Sequence, residues 1–289
     1  VIKLSAGNIL IPLATGALLA WAFPSLFGGN GGFPLVLFIG IALSITALPV
    51  VAKILMDMGL FQSDFGMLVL ASAVVNDLTG WIMFSTLLQI LHTGQASPAV
   101  LVKTVAITVM MTVLLLTALR FVINRTLPWI QANTQWPGGV ISFIVVIGLA
   151  FAALTEAAGI HAIFGAFLAG IAIGDSPHLR RHTHEVIEEF ATNIFTPLFF
   201  VSIGLMVDFL ADFNALLTAL LLALAVLTKL AGSMIGGSLA GMRRRESISA
   251  GFAMSATGTM QIVLGLIAKE YGLINSETFA AFVIVAIAT

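Results

Sequence analysis

The chain has 289 residues, of which 60% are hydrophobic and 9% charged, with a mean hydropathy of +1.12. An ordinary globular domain carries about 25% charged residues, so this chain cannot cover itself with polar surface, and a water-soluble fold is excluded. The formal net charge of −1 leaves no basic footprint for nucleic acid. The absence of cysteine excludes disulfides, thiolate metal sites and a thiol nucleophile. The sequence opens on Val1 with no cleavable signal pattern and stops at Thr289 inside an apolar run, and so reads as a fragment of a longer membrane protein.

Polar and Pro/Gly clusters divide it into ten apolar segments, predicted as helices at 8–27, 33–56, 65–91, 98–123, 137–157, 160–174, 190–207, 213–240, 247–268 and 277–289. Most approach the roughly 20 residues that cross a hydrocarbon core about 30 Å thick; the sixth is short for a span and the tenth is cut. The runs are continuous and rich in Ala and Leu, without the alternation of a membrane barrel. The expected fold class is an all-α polytopic membrane protein.

In chain order, the second segment is interrupted at Ser44-Ile45-Thr46-Ala47-Leu48-Pro49, where Pro49 removes a backbone donor and disfavours helix at Leu48. The third carries Asn76 and Asp77, the latter about 18 Å along its axis and so near the bilayer midplane. An ionisable residue there costs roughly 2.5–3.5 kcal/mol on insertion scales, and calls for a partner or a water-filled cavity. Ser72, Asn76, Thr79 and Gly80 make one side of that helix small and polar; a structural bond between helices is the plainer reading of the same carboxylate. The fourth places Lys103 near its outer end, where it can snorkel. The fifth ends near Glu156, an interfacial carboxylate or the lining of an outer vestibule. In the sixth, Gly165, Ala166, Ala169 and Gly170 form a small-residue face suited to close helix packing. Ahead of the seventh, His178, His182 and His184 accompany Glu185, Glu188 and Glu189, a solvated amphipathic linker or, alternatively, a metal or pH-sensing cluster. The eighth holds Lys229 about 24 Å along, either the partner of Asp77 or a lysine that snorkels to the cytoplasmic face. The ninth is interrupted at Ser255-Ala256-Thr257-Gly258-Thr259.

Basic residues collect at Lys3, at Arg120 and Arg125, at Arg180 and Arg181, and at Arg243, Arg244 and Arg245, whereas the loop with Asp208 and Asp212 has none. Ten alternating spans put each of these basic loops on one side, which the positive-inside rule makes cytoplasmic together with the N-terminal end, Lys103 being the one awkward residue. Segments two and nine then cross in opposite directions, each the middle member of a run of three and each with Ser-x-Thr at its break. Paired interrupted helices in corresponding positions of inverted halves point to a secondary transporter's binding site, although simple kinks would break both helices as well.

A buried carboxylate takes either a proton or a desolvated monovalent cation, not both. If it faces one side at a time, that exclusion exchanges one for the other. The hydroxyls of Ser44 and Thr46, carbonyls freed at the break and the Asn76 amide oxygen are the expected oxygen donors, the type hard cations prefer. An Asp77–Lys229 pair would offset much of each group's desolvation.

Ser44-Ile45-Thr46-Ala47-Leu48-Pro49-Val50 followed by Ala73-Val74-Val75-Asn76-Asp77 resembles the monovalent cation:proton antiporter-2 family. Gly159-Ile160-His161-Ala162-Ile163-Phe164-Gly165-Ala166-Phe167-Leu168-Ala169-Gly170, Pro197-Leu198-Phe199-Phe200-Val201-Ser202-Ile203-Gly204-Leu205 and the intramembrane Lys229 extend the resemblance over almost the whole chain. Within the family it looks most like the potassium/proton exchangers of the plant cation/proton exchanger type. The resemblance implies an inverted-repeat antiporter fold whose two discontinuous helices cross near the midplane, and a core domain that moves against a dimer domain. Residues 1–289 are then a single transmembrane transporter domain, without the family's first helices and the end of its last. Carried over by position, Asp77 is the cation and proton site and Lys229 its charge partner. Asn76 stands where electrogenic members have Asp, and Ser255, Thr257 and Gly258 form the second discontinuous helix. Many relatives place Arg before the Gly of that break, where this chain has Thr257, which puts a charge-balancing role for that helix in doubt.

The expected activity is secondary active antiport of Na+ or K+ against H+ by alternating access, without enzymatic chemistry or cofactor. The implied partners are the transported ions, the lipid bilayer and a second copy of the chain, and not nucleic acid. A single carboxylate makes one-for-one exchange electroneutral provided Lys229 keeps its proton. The rival readings are an organic anion/Na+ symporter of the same architecture, which needs positive charge around its substrate; an intramembrane enzyme, for which no nucleophile–base pair is evident, His161 lying near an outer end; and a channel.

Overall fold

The computed structural model describes residues 1–28, 31–93, 98–135, 137–158, 162–174, 176–177, 179 and 181–289, with side chains except at 89, 92–93, 98–101, 104, 107–108, 111, 163 and 181. The helices are α1 (Ile2–Ala22), α2 (Phe33–Ser44), α3 (Leu48–Asp57), α4 (Asp64–Thr93), α5 (Pro98–Asn133), α6 (Gly138–Ala157), α7 (Ala162–Gly174), α8 (Arg181–Phe190), α9 (Thr196–Met206), α10 (Ala215–Leu239), α11 (Arg244–Met254), α12 (Gly258–Glu270) and α13 (Ser276–Ala288). A 3-10 turn follows α1 at Pro24–Phe27, and a π turn at Ala191–Phe195 joins α8 to α9. No strand occurs among the described residues. Among the described residues, seven helical stretches are long and apolar enough to cross a membrane, an eighth if α11 and α12 form one bent span, and two shorter apolar helices accompany them. Each of the ten expected segments coincides with one of these, and the chain is an integral multi-pass membrane protein.

Two boundaries differ from expectation. α5 continues to Asn133, about 54 Å at 1.5 Å per residue, so Arg120 and Arg125 lie on a helix and not in a loop. The extension is held by packing: Leu119, Ile123 and Leu127 are buried in one cluster with Val140, Ala169, Ala172 and Ile173. The histidine-containing linker is also helical, as α8.

The chain divides into two compact units, one of Val1–Leu87 with Val207–Thr289 and one of Leu88–Met206. In the first, α1 packs against both α2 and α10. The α1–α10 contact depends on missing side chains: a Cβ at Gly232 would lie 3.1 Å from the Asn8 Cα, and one at Gly236 3.0 Å from the Leu4 Cα. Small residues let two backbones approach where lipid provides no hydrophobic drive. In the second unit, half of the expected small-residue face is used this way. Gly165 sits against Phe151 and Thr155 of α6 and Ala169 is buried, while Ala166 and Gly170 are exposed.

Candidate ion-binding site

Every site residue expected from the sequence lies in the first unit. α2 stops at Ser44, the chain runs extended through Ile45 and Ala47, and helix resumes at Leu48 with Pro49 in its first turn. Proline suits that place because the first amides of a helix have no intrahelical acceptor. The second break separates α11 from α12 with a 49° bend. Gly258 opens α12 at φ +56°, a left-handed conformation that glycine adopts without steric penalty. A Cβ there would also lie 2.6 Å from that of Ala47.

The two interruptions are bonded to each other. The Ala47 N–H donates to the Ala256 carbonyl at 2.7 Å, and the Thr46 hydroxyl donates to the Met254 carbonyl at 3.0 Å. Backbone groups released by one break therefore serve the other, as buried amides and carbonyls must. α4 lies alongside: a Cβ at Gly80 would stand 3.2 Å from Ile45 and 3.5 Å from Met260.

Lys229 is fully buried on α10, 0% exposed. Its ammonium donates to the Thr46 hydroxyl at 2.8 Å, to the Asn8 carbonyl at 3.1 Å and to the Ser44 carbonyl. An ammonium has three protons and no acceptor, so neutral oxygens satisfy it completely. No direct ion pair joins the ammonium to Asp77, the charge partner expected from the sequence.

Thr46 is the hub. Its single proton goes to Met254, and its oxygen accepts from Lys229 and, more loosely at 3.4 Å, from the Asn76 amide nitrogen. Because Thr46 has no second proton to give, Asn76 must present its NH2 to it, which turns the amide oxygen away. That oxygen, Asn76 Oδ1, has no hydrogen-bond partner, and neither does Asp77 Oδ1 on the next residue. Asp77 is buried, 4% exposed.

Ser44 contributes its carbonyl and not its hydroxyl, which bonds back to Ile41 at 2.8 Å. Ser255 likewise bonds back to Phe252 at 2.7 Å. The buried Thr257 donates to Gln261 Oε1 at 2.6 Å, and the Gln261 amide reaches the Ala42 carbonyl at 3.4 Å, tying the second break to α2. Residues that sequence reasoning missed are Asn8, Ser233 and Gln261. The available signal was an amide inside an apolar run: Asn8 four residues before Pro12, Gln261 three after Gly258.

Of the weaker candidates, Glu156 accepts the Ala162 amide at 2.8 Å at the start of α7. His182 and His184 pair with Glu185 at 3.5 Å and Glu188 at 3.9 Å on exposed α8. No group of three metal-ligating side chains converges among the described residues. Gly159, Ile160, His161, His178 and Arg180 lie outside the described residues.

A polytopic helical membrane domain with a carboxylate, an amide and a neutral-bonded ammonium buried where two helices break has the build of a secondary transporter. All of residues 1–289 match the family model described as sodium/hydrogen exchanger, transmembrane, and the chain belongs to that family. It is 28% identical over 293 residues to cation/H(+) antiporter 15 of Arabidopsis thaliana, covering 99% of this chain and 35% of that protein. It is 27% identical over 257 residues to K(+)/H(+) antiporter 1 of Saccharomyces cerevisiae, covering 87% and 29%. It is 30% identical over 259 residues to the Na(+)/H(+) antiporter NhaS4 of Synechocystis, covering 89% and 63%. The chain thus spans about a third of the length of the plant and yeast relatives.

Proposed function

We propose that the protein is a secondary active antiporter that exchanges Na+ or K+ for H+ by alternating access, with Asp77 binding cation or proton in competition. The observation that carries the reading is that two buried oxygens on consecutive residues, Asp77 Oδ1 and Asn76 Oδ1, have no hydrogen-bond donor. A buried acceptor without a partner carries a desolvation penalty of about 1–3 kcal/mol, more for a charged group, and a proton or an alkali cation removes it. An anion would find no free cationic donor there, since all three protons of Lys229 are committed to neutral oxygens, so the organic anion reading is disfavoured. Relatives named for K+/H+ and for Na+/H+ antiport support exchange of a monovalent cation.

Lys229 supplies fixed positive charge in this reading. Deprotonation would leave one of its acceptors unsatisfied, so it holds its proton while Asp77 trades one, and one-for-one exchange is electroneutral. The interrupted helices are the paired elements of an inverted-repeat fold, the basic ends are cytoplasmic, and the protein works as a homodimer in the membrane.

The test uses everted vesicles with an interior-acid pH dye and added Na+, K+ or Li+. Cation-induced proton efflux is expected in the native protein and its loss in Asp77→Asn; efflux retained in that variant overturns the proposal.

A further inference from the structure

The first helix contains a second consequence of proline. α1 runs unbroken from Ile2 to Ala22 with Pro12 inside it, and Pro12 is buried. In an α-helix the amide of residue 12 would donate to the carbonyl of residue 8; proline has no amide proton, so the Asn8 carbonyl loses its intrahelical partner. That carbonyl is the one Lys229 takes, at 3.1 Å.

We propose that Pro12 is a positioning residue for Lys229: by withholding an amide it leaves the Asn8 carbonyl to the ammonium, which is thereby held off Asp77. The inference rests on the antiporter reading for its functional part and on hydrogen-bond geometry for its structural part. Residues 229, 232, 233 and 236 share one face of α10, at the three- and four-residue spacing that makes helical neighbours. On that face Gly232 brings the α1 backbone within reach of the ammonium. The Asn8 amide nitrogen bonds to the Ser233 hydroxyl at 2.9 Å, one turn beyond Lys229, and to the Leu4 carbonyl at 3.1 Å, which sets the register of α1 on α10.

An alanine at position 12 restores an amide proton that competes for the Asn8 carbonyl. One proton of the fully buried ammonium then needs another acceptor, and the carboxylate of the same cluster, with its unpartnered oxygen, is the charged one. An ammonium bonded to Asp77 must be displaced by every incoming cation.

The experiment compares the full-length protein with Pro12→Ala, and with a variant carrying the α-hydroxy acid counterpart of alanine at position 12, which replaces the amide by an ester and again lacks the proton. In proteoliposomes, Pro12→Ala should raise the KM for the cation about tenfold, equivalent to 1.4 kcal/mol, with the maximal rate little changed, and the ester variant should return KM to the native value. An unchanged KM in Pro12→Ala, or a KM raised equally in the ester variant, overturns the positioning role. Independently of transport, Pro12→Ala and Lys229→Met should be non-additive in the melting temperature of the purified protein; additivity overturns the contact itself. Loss of the antiporter reading is read separately, from efflux retained in Asp77→Asn.

Discussion

Replacing Thr46 by valine keeps the shape of the side chain and deletes the one hydroxyl on which the two breaks and the buried ammonium converge. The bond from Lys229, at 2.8 Å, has a charged donor, and the bond to the Met254 carbonyl, at 3.0 Å, is neutral. The contact from Asn76, at 3.4 Å, orients the amide but is long enough to add little energy. Thr46 is 0% exposed, so water does not replace what is lost. With about 1.5–3 kcal/mol for a bond to a charged group and about 0.5–1.5 kcal/mol for a neutral one, Thr46→Val should destabilise the protein by about 2–4.5 kcal/mol. A domain of 150–250 residues shifts its midpoint by about 2–4 °C per kcal/mol, so the melting temperature should fall by roughly 4–18 °C. The assay is thermal unfolding of purified protein in detergent, with Thr46→Ser as the control that keeps the hydroxyl. A Val variant melting with the native protein refutes the hub. A Ser variant as unstable as the Val variant refutes it equally, because the methyl group would then carry the effect.

Gly258→Ala and Gly241→Ala separate conformation from crowding. Both glycines have positive φ, +56° and +80°, but only at Gly258 would a Cβ meet another atom closely. The Gly241 change should cost about 1 kcal/mol from backbone strain, and the Gly258 change a further 1–3 kcal/mol or so from overpacking. Equal melting temperatures would show that the approach of the two breaks is not tight. For stoichiometry, the native exchange rate in liposomes should not change when the membrane potential is clamped at different values, whereas Asn76→Asp, which adds a second carboxylate, should make it follow the potential. A native rate that follows the potential sinks the electroneutral reading.

The apolar spans and their helical kind could be read from sequence because the information is local. An apolar run of about 20 residues satisfies its own backbone only as a helix in lipid, and Pro49 and Gly258 mark breaks by their own stereochemistry. The conflict of Asp77 with its surroundings is also local, as hydropathy sees it. α5 outran its expected end because the packing of Leu127, with Leu119 and Ile123, against Val140 and α7 outweighs the charge of Arg125, a judgement that needs the neighbouring helices.

The hydrogen-bond partners were decided by tertiary structure alone. Helical spacing assigns Lys229 to a face, but its acceptors lie 221 and 183 residues away, on Asn8 and Thr46, and the rotation and closeness of α1 and α10 decide which oxygen it meets. Both the hydroxyl of Ser44 and the carbonyls freed at the break were expected as oxygen donors; in the fold the Ser44 carbonyl meets the ammonium, while the hydroxyl bonds one turn back to Ile41. Sequence thus determined that a carboxylate had to be accommodated inside a membrane domain, with Lys229 either beside it or snorkelling away. Only the packing of glycine-lined helices decided that neutral oxygens would hold the ammonium and leave the carboxylate an oxygen to spare, since a hydrogen bond depends on separations of a few tenths of an ångström that no residue pattern encodes.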